Sequence, residues 1–264
     1  MIQLKTEKLI AHVDEGIGWL TFNNPERRNA ISLEMWQGLG DVLQAFAQDD
    51  GVRVVVVKGA GGKAFASGAD ISEFDQHRAN AEQRKQYGEI AERGRAGLSK
   101  LDKPLVAMIQ GFCIGGGLAV SLSADVRFAT TASTFGIPAA KLGLGYEYAG
   151  VAALARLVGP SNARDILFSG RFMPADEALR MGLVNFVVNE GELEARVRSY
   201  AEAIARNAPL TVRAAKAAVN TFERYSRNDA NDVAALVDAC FNSEDYAEGR
   251  RAFAEKRPPQ FKGR

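Results

Sequence analysis

Two short runs rich in β-forming residues, 8–13 (KLIAHV) and 17–23 (IGWLTFN), flank Asp14-Glu15-Gly16 and predict a hairpin closed by a glycine-containing turn. Asn24-Pro25 ends the second strand, and Ser32 then offers an N-cap. Leu33, Met35, Trp36, Leu39, Val42, Leu43 and Phe46 recur behind it at helical spacing. The run 53–58 (RVVVVK) is continuously β-branched, as expected of a strand buried on both faces, and 104–110 (PLVAMIQ) repeats that character. Between them, 72–100 is polar and Arg-rich, which suits a mobile loop leading into a solvated helix. A further strand is expected over 126–130.

From Gly150 the apolar spacing becomes three and four, through 153–158, 163–168 and 175–179, with strand character only at 183–188. Four more helices are expected over 192–206, 210–222, 232–241 and 243–256. They are bounded by Pro209, the polar stretch 226–229 and Pro258-Pro259. This is an α/β core over residues 1–190 with a helical region over 191–264. No low-complexity linker separates the two, so the helical region is not an independent domain.

At 264 residues, 47% hydrophobic and 25% charged, the chain has material for a substantial buried core. Its formal charge of +1 provides no global field for nucleic acid or an anionic membrane, so an anionic ligand has to be held locally. Cys113 and Cys240 stand far apart with no CxxC or His/Cys cluster, which points to a reducing compartment and no metal. The N-terminal segment lacks a secretory signal pattern, and no run approaches ~18 apolar residues. A cytoplasmic protein without membrane or nucleic-acid partners is expected.

The candidate chemistry lies in two glycine-centred segments that each follow a strand: KAFASGAD (63–70) and QGFCIGGGLAVSLSAD (110–125). Three consecutive glycines ahead of a helix-compatible run let the backbone approach a ligand and leave N–H groups free at a helix start. Close helix–strand packing explains a glycine triplet equally well, and an ordinary turn explains Gly68-Ala69-Asp70. Gly59-Ala60-Gly61-Gly62 lacks the G-x-G-x-x-G spacing of a dinucleotide site, and no phosphate-binding G-x-x-x-x-G-K-[ST] occurs. Neither His12 nor His77 has a Ser or Cys motif beside it that would mark a catalytic triad.

Taken in order, NPERRNAIS (24–32), KAFASGADISEF (63–74), PLVAMIQGFCIGGG (104–117), STFGIPAAKLGLG (133–145), ADEALRMGLVNFVV (175–188) and SEDYAEGRRAFAEKRPPQF (243–261) resemble the crotonase superfamily, the enoyl-CoA hydratase/isomerase family, along essentially the whole chain. The resemblance implies an α/β spiral of ββα units with C-terminal helices used in homotrimer or hexamer assembly. It also implies a coenzyme A thioester as substrate, with no further cofactor. It maps the two N–H groups that hold the thioester oxygen onto Ala69 and Gly116. Coenzyme A is implied to lie against the main chain of Ala69, Asp70 and Ile71, near Arg27 and Arg28, and against Phe253 and Lys256. Plain surface charge remains the alternative for Arg27, Arg28 and Lys256.

Hydratases of that family carry two glutamates where this chain has Ala119 and Ala139. Alanine neither deprotonates water nor protonates carbon, so hydration by that pair is not expected. Just downstream, Tyr146, Glu147 and Tyr148 precede the helix carrying Arg156. The resemblance aligns Glu147 with the proton-shuttling acid of dienoyl-CoA isomerases and with the nucleophilic carboxylate of aromatic acyl-CoA dehalogenases. Tyr146 aligns with a tyrosine of the methylmalonyl-CoA decarboxylase branch, which carries a histidine at the position of Ala69. Apolar packing remains open for the two tyrosines, and helix-start capping or pairing with Arg156 for Glu147. Three readings follow: an enolate-forming acyl-CoA enzyme with Glu147 as acid/base and Tyr146 as helper, an acyl-CoA decarboxylase using Tyr146, or a catalytically silent binder of coenzyme A thioesters.

Overall fold

In the computed structural model, which describes residues 4–73, 81–224, 238 and 241–260, the hairpin forms as β1 (Leu9–Asp14) and β2 (Ile17–Phe22). Asp14 pairs with Ile17, so the turn is the two residues Glu15 and Gly16, at φ 49° and 81°. Both central residues are left-handed, as a turn that matches the twist of the strands requires. β2 then pairs in parallel with β3 (Val54–Gly59), β3 with β5 (Leu105–Ile109), β5 with β7 (Val126–Thr130) and β7 with β10 (Phe186–Val188). The result is a six-stranded sheet in the order β1-β2-β3-β5-β7-β10.

The valine run of β3 is explained by what covers each face. Val55 and Val57 point into the main core with helix α1 (Leu33–Gln48), while Val54 and Val56 meet Leu193, Val197 and Ala201 of the later helix α6 (Leu193–Ala205). Side chains alternate along a strand, so a run apolar at every position needs a cover on both sides. Each large side chain fully buried this way contributes about 1.5–3 kcal/mol. Helix α1 starts where expected, its Ser32 Oγ accepting from the Met35 N–H at 3.4 Å.

A second sheet was not evident from the sequence pattern. Its strands are β4 (Ala64–Ala66), β6 (Phe112–Ile114), β8 (Thr134–Gly136) and β9 (Met173–Pro174), in that order across the sheet. At two or three residues each they are too short to show any period. Each of β4, β6 and β8 directly follows a strand of the large sheet, and helices α2 (Ala81–Lys100), α3 (Gly116–Leu122) and α4 (Tyr148–Ser169) follow them in turn. Strand, strand, helix therefore repeats along the chain, and this is the expected spiral of ββα units.

The 72–100 stretch departs from expectation. Residues 74–80 lie outside the described residues, but α2 is a 20-residue helix that buries Tyr87, Ala91 and Leu98 instead of standing solvated. A Cβ at Gly94 would lie 2.8 Å from the Trp36 carbonyl oxygen. Glycines that permit such close helix crossing lower the apparent hydropathy of the packed face. Helix α4 runs through both segments expected at 153–158 and 163–168, with a kink at Gly159-Pro160, where Gly159 has φ 77°. Helices α5 (Ala175–Arg180), α6, α7 (Pro209–Arg224) and α8 (Glu244–Ala254) complete the described elements. The helix expected over 232–241 lies almost wholly outside the described residues. No described helix is long and apolar enough to cross a membrane.

One buried polar residue ties the entry to α1 onto both sheets. Asn29, fully buried at φ 55°, donates from Nδ2 to the carbonyls of Ala60 (2.9 Å) and Ala64 (2.7 Å) and accepts the Asn24 N–H at 2.9 Å. Asn29→Ala strands one buried carbonyl, one part-buried carbonyl and one N–H and places a less suited residue in the left-handed region. It should lower unfolding free energy by about 3 kcal/mol in a denaturant titration; a loss below about 0.5 kcal/mol would contradict this role.

Candidate active site

Ala69 sits opposite Ile31 in an isolated parallel bridge. The Ile31 N–H donates to the Gly68 carbonyl at 2.8 Å, and the Asp70 N–H donates to the Ile31 carbonyl at 3.0 Å. In this pairing the flanking residues bond to Ile31, so the N–H of Ala69 itself turns to the other side. There it meets the start of α3. Gly116 is the first residue of that helix, and its N–H has no preceding turn to bond to. A Cβ built on Gly116 would lie 3.4 Å from the Ala69 nitrogen, so the two amides are neighbours.

Glycine is required here for two separate reasons. Gly115, the N-cap, has φ 53° and ψ −115°, a conformation that side chains rarely adopt. A Cβ at Gly117 would fall 2.2 Å from the Ala66 carbonyl oxygen, which explains how α3 packs directly on β4. The triplet therefore serves close packing and a free N–H together. The two readings left open by the sequence are not exclusive.

Both amides face a cavity of about 1960 Å³. Ala69, Gly116, Tyr146 and Glu147 line it, and so do Arg27, Arg28, Asp70 and Phe253. Of the residues singled out from the sequence, Lys256 does not line it and stands exposed beyond the end of α8. The main chain of Ile71 opens a single helical turn, Ile71–Glu73, just past Ala69. Ala119 and Ala139 present methyl groups to the same cavity.

The polar contacts lock the 24–30 turn to the 67–72 segment. Ser67 donates from its N–H to the Arg28 carbonyl (3.1 Å) and from Oγ to the Arg27 carbonyl (3.3 Å). Asp70 is buried, and its Oδ1 accepts from Ser72 N–H (3.1 Å), Ser72 Oγ (2.7 Å) and Arg27 Nη1 (3.3 Å). Its carboxylate is thus committed to the loop, while Arg27, over half exposed, keeps donors at the rim. The Arg28 guanidinium lies 5.3 Å from the Phe112 ring centre. Glu73, overlooked in the sequence, accepts the Leu33 N–H at 2.9 Å and so fastens the same loop to the start of α1.

Tyr146 and Glu147 occupy different settings. The Tyr146 hydroxyl donates to the Gly115 carbonyl at 3.3 Å. Burial pushes its phenol up to about 12, against a downward pull from the Arg95 guanidinium, which α2 places in the same cavity wall. Arg95 was not legible as a site residue because it falls in the polar stretch read as solvated. Glu147 is the N-cap residue of α4, yet its side chain makes no capping bond and is exposed at the cavity edge. Cys113 is fully buried in β6, and burial pushes its thiol up to about 12, which excludes it as a thiolate nucleophile near neutral pH. Among the described residues, no three His, Cys, Asp or Glu side chains gather to hold a metal.

The model of the family described as enoyl-CoA hydratase/isomerase matches residues 12–264. A short-chain-enoyl-CoA hydratase of Clostridium acetobutylicum is 33% identical over 258 residues, covering 96% of this chain and 97% of that one. An enoyl-CoA hydratase/carnithine racemase from Magnetospirillum magneticum has a solved structure that superposes with a TM-score of 0.81 at 36% identity, covering 98% and 97% of the two chains. A methylmalonyl-CoA decarboxylase solved with 2-nitronate-propionyl-CoA superposes with a TM-score of 0.89 at 26% identity, covering 98% and 99%.

Proposed function

The chain belongs to the enoyl-CoA hydratase/isomerase family, and we propose that it transforms an acyl-CoA thioester through an enolate held by the N–H groups of Ala69 and Gly116, with Glu147 moving the α-proton. The observation that carries this is the pair of neighbouring amides turned into one cavity with a single-residue step from Tyr146 to an exposed carboxylate at its edge. Removing a proton beside a thioester moves charge onto its oxygen. Donors already in place gain strength as that charge grows, by about 3 kcal/mol each. Both donors are backbone groups, so alanine and glycine suffice at these two positions.

The acid/base assignment follows from what the cavity offers. The resemblance puts hydratase glutamates at the positions of Ala119 and Ala139, where the cavity has only methyl groups. Glu147 is the carboxylate of the neighbouring segment and lines the same cavity. Arg27 and Arg28 at the rim suit the phosphates of coenzyme A, beside the main chain of Ala69, Asp70 and Ile71. Phe253 suits its adenine. Lys256 is retained only as a surface cation able to approach the same phosphates.

The decarboxylase reading is favoured by one observation, the TM-score of 0.89 to methylmalonyl-CoA decarboxylase. There the enolate would form by loss of carbon dioxide, with the same two amides and a proton donor. For assembly we propose a homotrimer or hexamer, supported by the exposed apolar side chains Leu210 and Val219 on α7. Light scattering should report three or six chains at micromolar concentration, and a monomer would contradict it.

The experiment that tests the enolate reading is deuterium uptake at the α-carbon of saturated acyl-CoA thioesters in heavy water. Wild type should exchange at least one acyl-CoA. Glu147→Gln keeps shape and hydrogen bonding without basicity, so it should leave thioester affinity within about threefold and abolish exchange. Equal exchange in wild type and Glu147→Gln removes Glu147 from the chemistry. Binding without exchange of any thioester in wild type supports the silent binder instead.

A further inference from the structure

The two candidate donors share a feature that the proposed enolate chemistry does not require. A peptide N–H belongs to the same conjugated unit as the carbonyl of the preceding residue, so a hydrogen bond accepted by that oxygen draws electrons from the nitrogen and sharpens its N–H as a donor. For Ala69 the unit is the Gly68–Ala69 peptide, and the Gly68 oxygen accepts the Ile31 N–H at 2.8 Å. For Gly116 it is the Gly115–Gly116 peptide. The Gly115 oxygen accepts the Ala119 N–H at 2.9 Å and, on its second lone pair, the Tyr146 hydroxyl at 3.3 Å.

We infer that Tyr146 is a positioning residue that strengthens the Gly116 donor through the Gly115–Gly116 peptide, rather than an acid that protonates substrate. The inference rests on the enolate reading above. Among these contacts the Tyr146 hydroxyl is the one made by a side chain, so it is the one a substitution can remove without moving the backbone. A carbonyl only accepts, so in this contact the Tyr146 hydroxyl is the donor. One hydroxyl hydrogen cannot be given to the Gly115 carbonyl and to substrate at once, and donation to the carbonyl suits a permanent dipole. The 3.3 Å length lies at the long, weak end for an O–H···O bond.

The test uses a conjugated thioester, 4-(dimethylamino)cinnamoyl-CoA, whose absorption moves to the red as its carbonyl is polarised. Wild type should bind it with a red shift. Tyr146→Phe keeps the ring and should bind within about threefold, with a red shift smaller by about 10–30% and α-proton exchange slower by about three- to tenfold. Site-specific replacement of Tyr146 by 3-fluorotyrosine, a stronger hydrogen-bond donor of nearly the same shape, should enlarge the shift. That opposite sign separates polarisation from packing, and it keeps the inference testable if Tyr146→Phe folds poorly. An unchanged shift in both variants overturns the role of Tyr146 while leaving the two-amide site standing. No red shift in wild type overturns the enolate site itself.

Discussion

An amide that is to bind a developing oxyanion has to be kept from every other acceptor while the peptide that carries it is held rigid. Two such amides have to be kept side by side. In this chain the first is freed by the parallel bridge between Ile31 and Ala69, which spends the groups on either side of Ala69 and leaves its own N–H turned outward. The second is freed because Gly116 begins a helix. What brings them together is the contact of Gly117 with the Ala66 carbonyl, where even a methyl group does not fit.

The surrounding structure can be understood as support for that contact. The six-stranded sheet, covered on both faces at β3 and β5, delivers these strands in fixed register, and β4 and β6 continue from them as a parallel pair. The Ala69 segment leaves β4 and the Gly116 helix leaves β6, so the separation of the two amides is set by a strand pairing and not by a loop. Asn29 holds the 24–30 turn to the carbonyls of Ala60 and Ala64. Ser67, Asp70, Arg27 and Ser72 then tie that turn to the segment following β4. Sites built on strand ends and helix starts hold geometry better than sites on free loops.

Much of this frame was legible in the residues. The β-branched run of β3 announced a strand covered twice, and the glycine triplet after PLVAMIQ announced close backbone approach. The three-residue strands were not legible, because a period of two needs more positions to show itself. The buried face of α2 was hidden by the glycines that let it approach α1, and with it went Arg95. Asn29 was not singled out, since its partners at Ala60 and Ala64 lie more than 30 residues away. Tyr146 was legible as a candidate, but its contact with a carbonyl 31 residues earlier in the chain was not.

The chemistry that follows is spare. In the proposed reaction two peptide groups would stabilise charge on a thioester oxygen, and a carboxylate at the cavity edge would move a proton. The enolate is the shared intermediate of the two enzyme readings. The most direct measurement is therefore a crystal structure with a bound acyl-CoA thioester. The account predicts the thioester oxygen within about 3 Å of both the Ala69 and Gly116 nitrogens; a thioester oxygen bound elsewhere in the cavity, with either amide left without it, would contradict it.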